Sequence, residues 1–130
     1  MLNHKFKLTT FLFSVFILYS TSVLCENEAY ISFDSQNLIS GKKIWLENCE
    51  GCHAYGIAWS PNPLKPSDWQ NRVNKDISVL YDHAINGFFG PDDAMMPARG
   101  GNDDLSNEEV MRAVDYMVAL AEYYINQKEK

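Results

Sequence analysis

Apolar residues recur at helical spacing in two long segments of the chain. After Asp76 they stand three or four positions apart, at Ile77, Leu80, Tyr81, Ala84 and Ile85. After Ser106 the same spacing returns, at Val110, Ala113, Val114, Met117, Val118 and Ala121. Such a stripe is typical of an amphipathic helix that packs one face on a core. We therefore predict a helix in each segment, the first capped by Asp76 and ended by Gly87.

Two pairs of residues have the spacing of a capping box, in which two side chains satisfy the free amides at a helix start. Ser106 with Glu109 predicts where the last helix begins, and Ser67 with Gln70 predicts a short helix around Trp69. Each box directly follows a stretch that is predicted to be a loop, residues 54–66 and 88–105 respectively. The chain should therefore carry helices of unequal length, separated by loops.

An earlier helix is predicted from Asp34 or Ser35 to about Cys49, with apolar positions at Leu38, Ile44 and Trp45. Residues 54–66 contain three prolines and are predicted to be a loop. Residues 88–105, rich in Gly, Pro, Asp and Asn, form a second and longer loop. No convincing strand pattern appears. The fold class is therefore predicted to be all-α.

Residues 1–25 have the features of a secretory signal peptide. Its basic start is formed by His4, Lys5 and Lys7. A mostly apolar run continues to Leu24, and no acidic residue occurs before Glu26. Cleavage is expected after Ser22 or Cys25. An uncleaved membrane anchor is the alternative for a segment of this length. A lipidated Cys25 is disfavoured, because Leu24 is larger than such sites usually accept.

The remaining chain is predicted to be one small domain, residues 35–130, after a loosely held lead-in, residues 26–34. Once Lys5 and Lys7 leave with the leader, nine basic residues stand against 17 acidic ones, a formal net charge of −8. This charge argues against nucleic acid and anionic lipid as partners, and it is compatible with a basic docking partner. Solubility alone explains the charge as well. Membrane contact is expected only if the leader is retained.

The strongest chemical signal is the pentapeptide Cys49-Glu50-Gly51-Cys52-His53. Its CxxCH spacing is that of a c-type haem attachment site. Positions i and i+3 share one face of a helical turn, so Cys49 and Cys52 can reach both vinyl groups on one porphyrin edge. His53 follows at once and can bind iron from the proximal side. One alternative is a dithiol redox pair, which lacks its βαβ context. The other is half a zinc site, which lacks a second ligand pair, since the only other cysteine is Cys25 and the other histidines are His4 and His83.

A sixth iron ligand is available in the loop of residues 88–105. It contains Met95 and Met96 directly before Pro97. A methionine thioether completes His/Met coordination of haem iron. From the residues alone either methionine qualifies. Met111 and Met117, on a predicted helix, are expected to fill the core instead.

Several segments, in this order, carry a resemblance to a known family: Cys49-Glu50-Gly51-Cys52-His53, Trp69-Gln70-Asn71-Arg72, Leu80-Tyr81-Asp82-His83-Ala84-Ile85-Asn86-Gly87, Met96-Pro97-Ala98-Arg99-Gly100-Gly101 and Leu105-Ser106-Asn107-Glu108-Glu109-Val110. Together they resemble the cytochrome c5 branch of class I c-type cytochromes. The resemblance implies a small helical domain wrapped around one haem c, attached through two thioethers. It also implies that Met96 is the distal ligand, with Met95 as second choice, and that Gly41 and Trp45 pack against Tyr116.

The sequence departs from this family at one place. Many cytochromes c5 carry two further cysteines after the Met-Pro-x-x-Gly-Gly segment, but Gly100-Gly101 is followed here by Asn102-Asp103-Asp104. We therefore expect this loop to be held by packing alone, and the exact subfamily and partner stay open. Arg72 is a candidate partner of a haem propionate, and the alternative is that it lies on the solvated surface. Trp69 is a second candidate partner, and the alternative is that it packs in the core. His83 is expected to be a packing residue.

The function expected from the resemblance is one-electron transfer in the periplasm, without enzymatic activity. The redox partners would be a quinol-oxidising complex or dehydrogenase on one side and a terminal oxidase on the other. Two alternatives remain, a cytochrome subunit of a larger oxidoreductase complex and a haem enzyme with an open distal site. Ligation by Met96 would separate the carrier from the enzyme, because it leaves no position free for a substrate.

Overall fold

The computed structural model describes residues 30–91 and 93–128. The predicted signal peptide, residues 1–25, lies outside the described residues. The main elements are α1 (Gln36–Asn48), α2 (Glu50–His53), α3 (Pro66–Trp69), α4 (Ile77–Asn86) and α5 (Asn107–Lys128). Two 3₁₀ turns, Ile57–Trp59 and Ala98–Gly101, and two short strands, β1 (Phe88–Phe89) and β2 (Met95–Met96), complete the order. The all-α prediction is confirmed. No helix in this part of the chain is long and apolar enough to cross a membrane.

The centre of the fold is the crossing of α1 and α5. A Cβ atom added to Gly41 would lie 2.1 Å from the backbone oxygen of Arg112, so only glycine allows the two helices to approach this closely. Trp45 and Tyr116 are fully buried there, with ring centroids 5.7 Å apart. The predicted contact of Gly41 and Trp45 with Tyr116 is confirmed.

Helix starts agree with the predicted caps at two places. The Asp76 carboxylate accepts a hydrogen bond from the Ser78 amide at 2.9 Å, and α4 ends before Gly87. At α5 the box is reciprocal, because the Glu109 amide donates to Ser106 Oγ at 3.3 Å and the Ser106 amide donates to Glu109 Oε2 at 2.9 Å. Both capping predictions are confirmed.

The capping box predicted at Ser67 and Gln70 is wrong. The short helix α3 exists and contains Trp69, but it begins at Pro66, so Ser67 lies inside it. Proline is favoured at the first position of a helix, where its fixed φ suits the turn and its missing N–H is not needed. The Ser67 hydroxyl instead donates to the Asp68 carboxylate at 3.2 Å.

The described part of the lead-in, residues 30–34, is held firmly against the helices, contrary to our expectation. The Tyr116 hydroxyl donates to the backbone oxygen of Ile31 at 2.9 Å. The Lys42 ammonium donates to the backbone oxygen of Tyr30 at 2.7 Å. The Tyr30 ring meets Trp45 edge-on, at a centroid distance of 4.7 Å. The lead-in therefore closes one side of the core.

The loop of residues 88–105 contains an antiparallel pair of short strands that the sequence pattern did not reveal. Phe88 pairs with Met96, and Phe89 pairs with Met95. Gly87 enters this hairpin with φ +85°, and a Cβ there would lie 3.0 Å from the backbone oxygen of Met96. The glycine that ends α4 thus also lets the methionine strand pass close by.

Hydrogen bonds hold the rest of this loop, so the expectation of packing alone is wrong. The Arg99 guanidinium donates at 2.6 Å to the backbone oxygen of Leu105 and at 2.6 Å to Asn107 Oδ1. The Asn102 amide donates to Asn48 Oδ1 at 2.7 Å. Polar side chains therefore fasten the loop to the start of α5 and to the end of α1.

Candidate functional site

A cavity of about 400 Å³ opens between α2, α4, α5 and the hairpin. Much of its wall is apolar, with Leu80, Ala84, Val114 and Met117 contributed by α4 and α5. His53 and Met96, the two predicted axial ligands, both line it. The structure therefore brings together two residues that stand far apart in the sequence.

The two cysteines of the CxxCH motif lie on one turn of chain where α1 passes into α2. The amides of Cys52 and His53 both donate to the backbone oxygen of Cys49, at 3.2 and 3.0 Å. Both cysteines line a smaller cavity of about 50 Å³, whose wall shares His53 and Met96 with the large one. All four predicted site residues thus face two adjoining cavities.

The burial of Cys49 disfavours this residue as the nucleophile of a dithiol redox pair. Burial, with a smaller contribution from Cys52, raises the pKa of Cys49 to about 11. Redox-active dithiols need the opposite, a thiol whose pKa is lowered so that the thiolate is available as a nucleophile. Among residues 30–91 and 93–128, no cluster of three or more His, Cys, Asp and Glu side chains is arranged to hold a metal ion.

His53 is only 7 % exposed, and its imidazole is fixed by one backbone contact. Nδ1 lies 3.0 Å from the backbone oxygen of Pro61. Since that oxygen only accepts, Nδ1 carries the proton, and the lone pair is left on Nε2. Burial lowers the pKa of His53, which keeps the ring neutral near neutral pH. A neutral imidazole oriented in this way is a competent metal ligand.

The backbone that supplies this acceptor is braced by Asn62, a buried polar residue. Its side-chain Nδ2 donates to the backbone oxygen of Ala54 at 2.7 Å, and its Oδ1 accepts from the backbone N–H of Leu64 at 2.9 Å. The backbone N–H of Asn62 donates to the Asp68 carboxylate at 3.1 Å. The neighbouring Pro61 is therefore held in place for His53. Sequence reasoning missed this acceptor, because a backbone oxygen leaves no signal in the residue type.

The segment before Pro61 carries unusual backbone geometry. Ala58 and Trp59 have φ values of +50° and +63°, in the left-handed region that side chains other than glycine rarely adopt. Both residues line the large cavity, and Trp59 is 76 % exposed. Strained residues of this kind cluster at functional sites. The sequence did not single out either residue.

The hairpin register separates the two adjacent methionines. Met96 stands opposite Phe88, which lines the large cavity, and Met96 also packs against the buried residues Ala84, Val110 and Val114. Met95 stands opposite Phe89, and the two are 54 % and 81 % exposed. Met95 also lines the cavity, but it belongs to the more exposed face of the pair.

The sequence matches the family described as "Cytochrome C oxidase, cbb3-type, subunit III" over residues 36–117. It is 33 % identical over 88 residues to a cytochrome c-555 of Prosthecochloris aestuarii, and this alignment covers 65 % of this chain and 89 % of that protein. The chain belongs to the class I c-type cytochromes. A cytochrome c-555 of Chlorobaculum thiosulfatiphilum is 34 % identical over 79 residues, covering 61 % of this chain and 91 % of that protein. A cytochrome c-551 of Halorhodospira halophila is 28 % identical over 83 residues, and this alignment covers 61 % of this chain and 96 % of that protein.

Membership of the class I cytochromes implies covalently bound haem c, and the polar part of the cavity wall suits that group. Trp69 is 4 % exposed and its indole N–H is buried without a hydrogen-bond partner. Trp69, Arg72 and Lys75 all line the cavity. An unpartnered donor beside two cationic side chains is a donor set for carboxylates, which a porphyrin carries on one edge. The rest of the wall is apolar enough for the ring.

Two neighbouring side chains have structural partners of their own. The Arg72 guanidinium donates to the backbone oxygen of Asp68, which leaves its other N–H groups available. His83 stacks on Phe88 with ring centroids 4.1 Å apart and an angle of 23° between the rings. This stacking agrees with the packing role expected for His83.

Proposed function

We propose that this cytochrome is a periplasmic carrier of single electrons with one haem c. In this proposal Cys49 and Cys52 form the two thioethers, and His53 and Met96 are the axial ligands. The observation that carries it is the convergence of these four side chains on two adjoining cavities. The haem, when bound, supplies a one-electron couple, and His/Met ligation raises its potential.

The protein residues set the conditions for that couple. The hydrogen bond of His53 Nδ1 to Pro61 fixes the imidazole orientation and leaves Nε2 for the metal. The apolar wall from α4 and α5 excludes water and lowers the local dielectric constant. Trp69 and Arg72 would hold the propionate edge through charge-assisted hydrogen bonds. Each of these groups favours a rigid site that changes little between oxidation states.

A carrier is favoured over an enzyme by the position of Met96. The residue lies in a hairpin that is anchored at Gly87 and packs against Ala84, Val110 and Val114. A ligand held in this way leaves no open position at the metal for a peroxide or a gas. We therefore propose electron transfer without enzymatic turnover. The exchange would run between a quinol-oxidising complex or dehydrogenase and a terminal oxidase.

A second candidate is a cytochrome subunit of a larger oxidoreductase complex. The matching family is described as subunit III of a cbb3-type oxidase, which favours this candidate. The relatives favour the free carrier, because the chain covers 89 % and 91 % of two proteins named as cytochromes c-555. Purification under mild detergent distinguishes the two. A subunit elutes with other polypeptides, whereas a carrier elutes alone.

The axial ligand is tested by two adjacent substitutions. The ferric protein should show a weak far-red absorption band from a methionine–iron bond. Met96→Ala should abolish this band, while Met95→Ala should keep it, because Met95 lies on the more exposed face of the strand pair. Loss of the band in Met95→Ala alone would reassign the ligand. A band absent from the unsubstituted protein would refute His/Met ligation.

A further inference from the structure

A series of side-chain hydrogen bonds connects α1 to the segment that follows β2. Asn102 Nδ2 donates to Asn48 Oδ1 at 2.7 Å, across 54 positions of sequence. Asn48 Nδ2 in turn donates to the backbone oxygen of Ile44 at 3.0 Å. At the other end, Asn102 Oδ1 accepts from the Asp104 amide at 3.1 Å. Each carboxamide is oriented by a backbone partner, so the bridge between them has one donor and one acceptor.

The backbone makes a second contact at the same place. Gly100 has φ +66°, and a Cβ there would lie 2.9 Å from the backbone oxygen of Asn48. Asn48 and Gly100 line the small cavity together with Cys49 and Met96. The bridge therefore lies where the end of α1, next to Cys49, meets the segment that follows Met96.

The far end of the segment is fixed by Arg99, which donates to the backbone oxygen of Leu105 and to the side chain of Asn107. No cysteine occurs between Met96 and the end of the sequence, so no disulfide can restrain this segment. Its order therefore depends on hydrogen bonds and packing. The Asn48–Asn102 bridge is a hydrogen bond that reaches across to the last residue of α1, next to Cys49.

We infer that Asn48 and Asn102 are positioning residues that hold the Met96 thioether at the iron. The inference rests on the proposed ligation by His53 and Met96. A competing ligand displaces the thioether more easily if the methionine segment can move away, and such a movement breaks the bridge. The strength of the bridge therefore adds to the resistance of the iron to a competing ligand. One part-buried hydrogen bond corresponds to about a five-fold change in such an equilibrium.

The test is the affinity of the ferric, haem-containing protein for imidazole, which competes with the thioether. Asn102→Ala and Asn48→Ala should each bind imidazole about five-fold more tightly than the unsubstituted protein. The double variant should bind little more tightly than either single variant, because all three lack the same bridge. Asn74→Ala is the matched control. It removes an amide that donates to the backbone oxygen of Gln70 at 2.7 Å, outside this network, and should leave the affinity unchanged.

Asn102→Asp provides a milder second variant. It keeps the acceptor for the Asp104 amide and replaces the donor to Asn48 with a charged oxygen, so the turn should still form. It should also bind imidazole more tightly. Unchanged affinity in a folded variant, or additive effects of the two alanine substitutions, would overturn the positioning role. If the unsubstituted protein lacks the far-red band, the His/Met proposal itself fails, and the inference fails with it.

Discussion

At the scale of single residues, the site depends on backbone atoms as much as on the motif. The CxxCH motif predicted which side chains are candidates to hold the cofactor, but the orientation of His53 comes from the oxygen of Pro61, which is braced through Asn62. Glycine is required at Gly41 for a similar reason. The backbone oxygen of Arg112 on α5 occupies the space that any side chain at position 41 would need.

Gly41→Ala should lower the free energy of unfolding of the haem-containing protein by about 3 kcal/mol, the upper part of the usual range for overpacking. The new methyl group would lie 2.1 Å from a backbone oxygen of α5, which cannot yield without shifting the helix. Gly51→Ala is the control, since nothing lies within 4 Å of its added Cβ and alanine favours a helix. Urea unfolding measures both. Equal stabilities of the two variants would contradict the close approach.

At the scale of elements, hydrogen bonds connect helices whose apolar faces already meet. The Asp115 carboxylate of α5 accepts from Tyr81 of α4 and, at 2.8 Å, from Asn37 of α1. One acid therefore joins three helices, two of which, α4 and α5, line the large cavity. Periodicity predicted that Tyr81 faces the core, but it gave no sign of this polar contact.

Tyr81→Phe should cost about 1 kcal/mol of stability at pH 7, because it removes this hydrogen bond. Burial, followed by the contact with Asp115, raises the pKa of Tyr81 to about 12. An unfolded tyrosine has a pKa of about 10. The stabilisation is therefore complete below about pH 10 and is lost as the pH rises from about 10 to about 12.

Urea unfolding between pH 7 and pH 11 checks this expectation. The decline in stability above pH 10 should be smaller in Tyr81→Phe than in the unsubstituted protein. Tyr55→Phe, whose ring is 69 % exposed, should leave the stability at pH 7 unchanged. Identical slopes above pH 10 in Tyr81→Phe and the unsubstituted protein would show that this phenol does not contribute.

At the scale of the whole molecule, the acidic surface should govern how fast small redox reagents react. With the predicted leader removed, the formal net charge is −8. At low salt a cationic cobalt oxidant should react faster than an anionic iron cyanide of similar driving force. The difference should shrink as the Debye length falls from about 30 Å at 0.01 M salt to about 3 Å at 1 M. Stopped-flow kinetics measures both rates. Faster reaction of the anion at low salt would mean that Arg72 and Lys75 dominate the entrance of the cavity.

Sequence reasoning predicted the parts of the molecule that depend on local chemistry. The structure confirms the helices that the periodic apolar stripes predicted and the caps at Asp76 and Ser106. The comparisons confirm the family. Sequence reasoning missed features that depend on chain segments meeting in space. The strands β1 and β2 are too short to show alternation. The bridge from Asn48 to Asn102 joins two ordinary polar residues whose partnership appears only after α1 and the loop have come together.

The close crossing at Gly41 has a consequence for thioether formation. Because α1 meets α5 through bare backbone there, the crossing sets the rotation of α1 about its own axis. Cys49 follows eight residues later, about 12 Å further along the helix. A slip of one residue at the crossing would turn its thiol by about 100°. A glycine that lines neither cavity thereby helps to decide which face of the chain Cys49 would present to the haem in the proposed attachment.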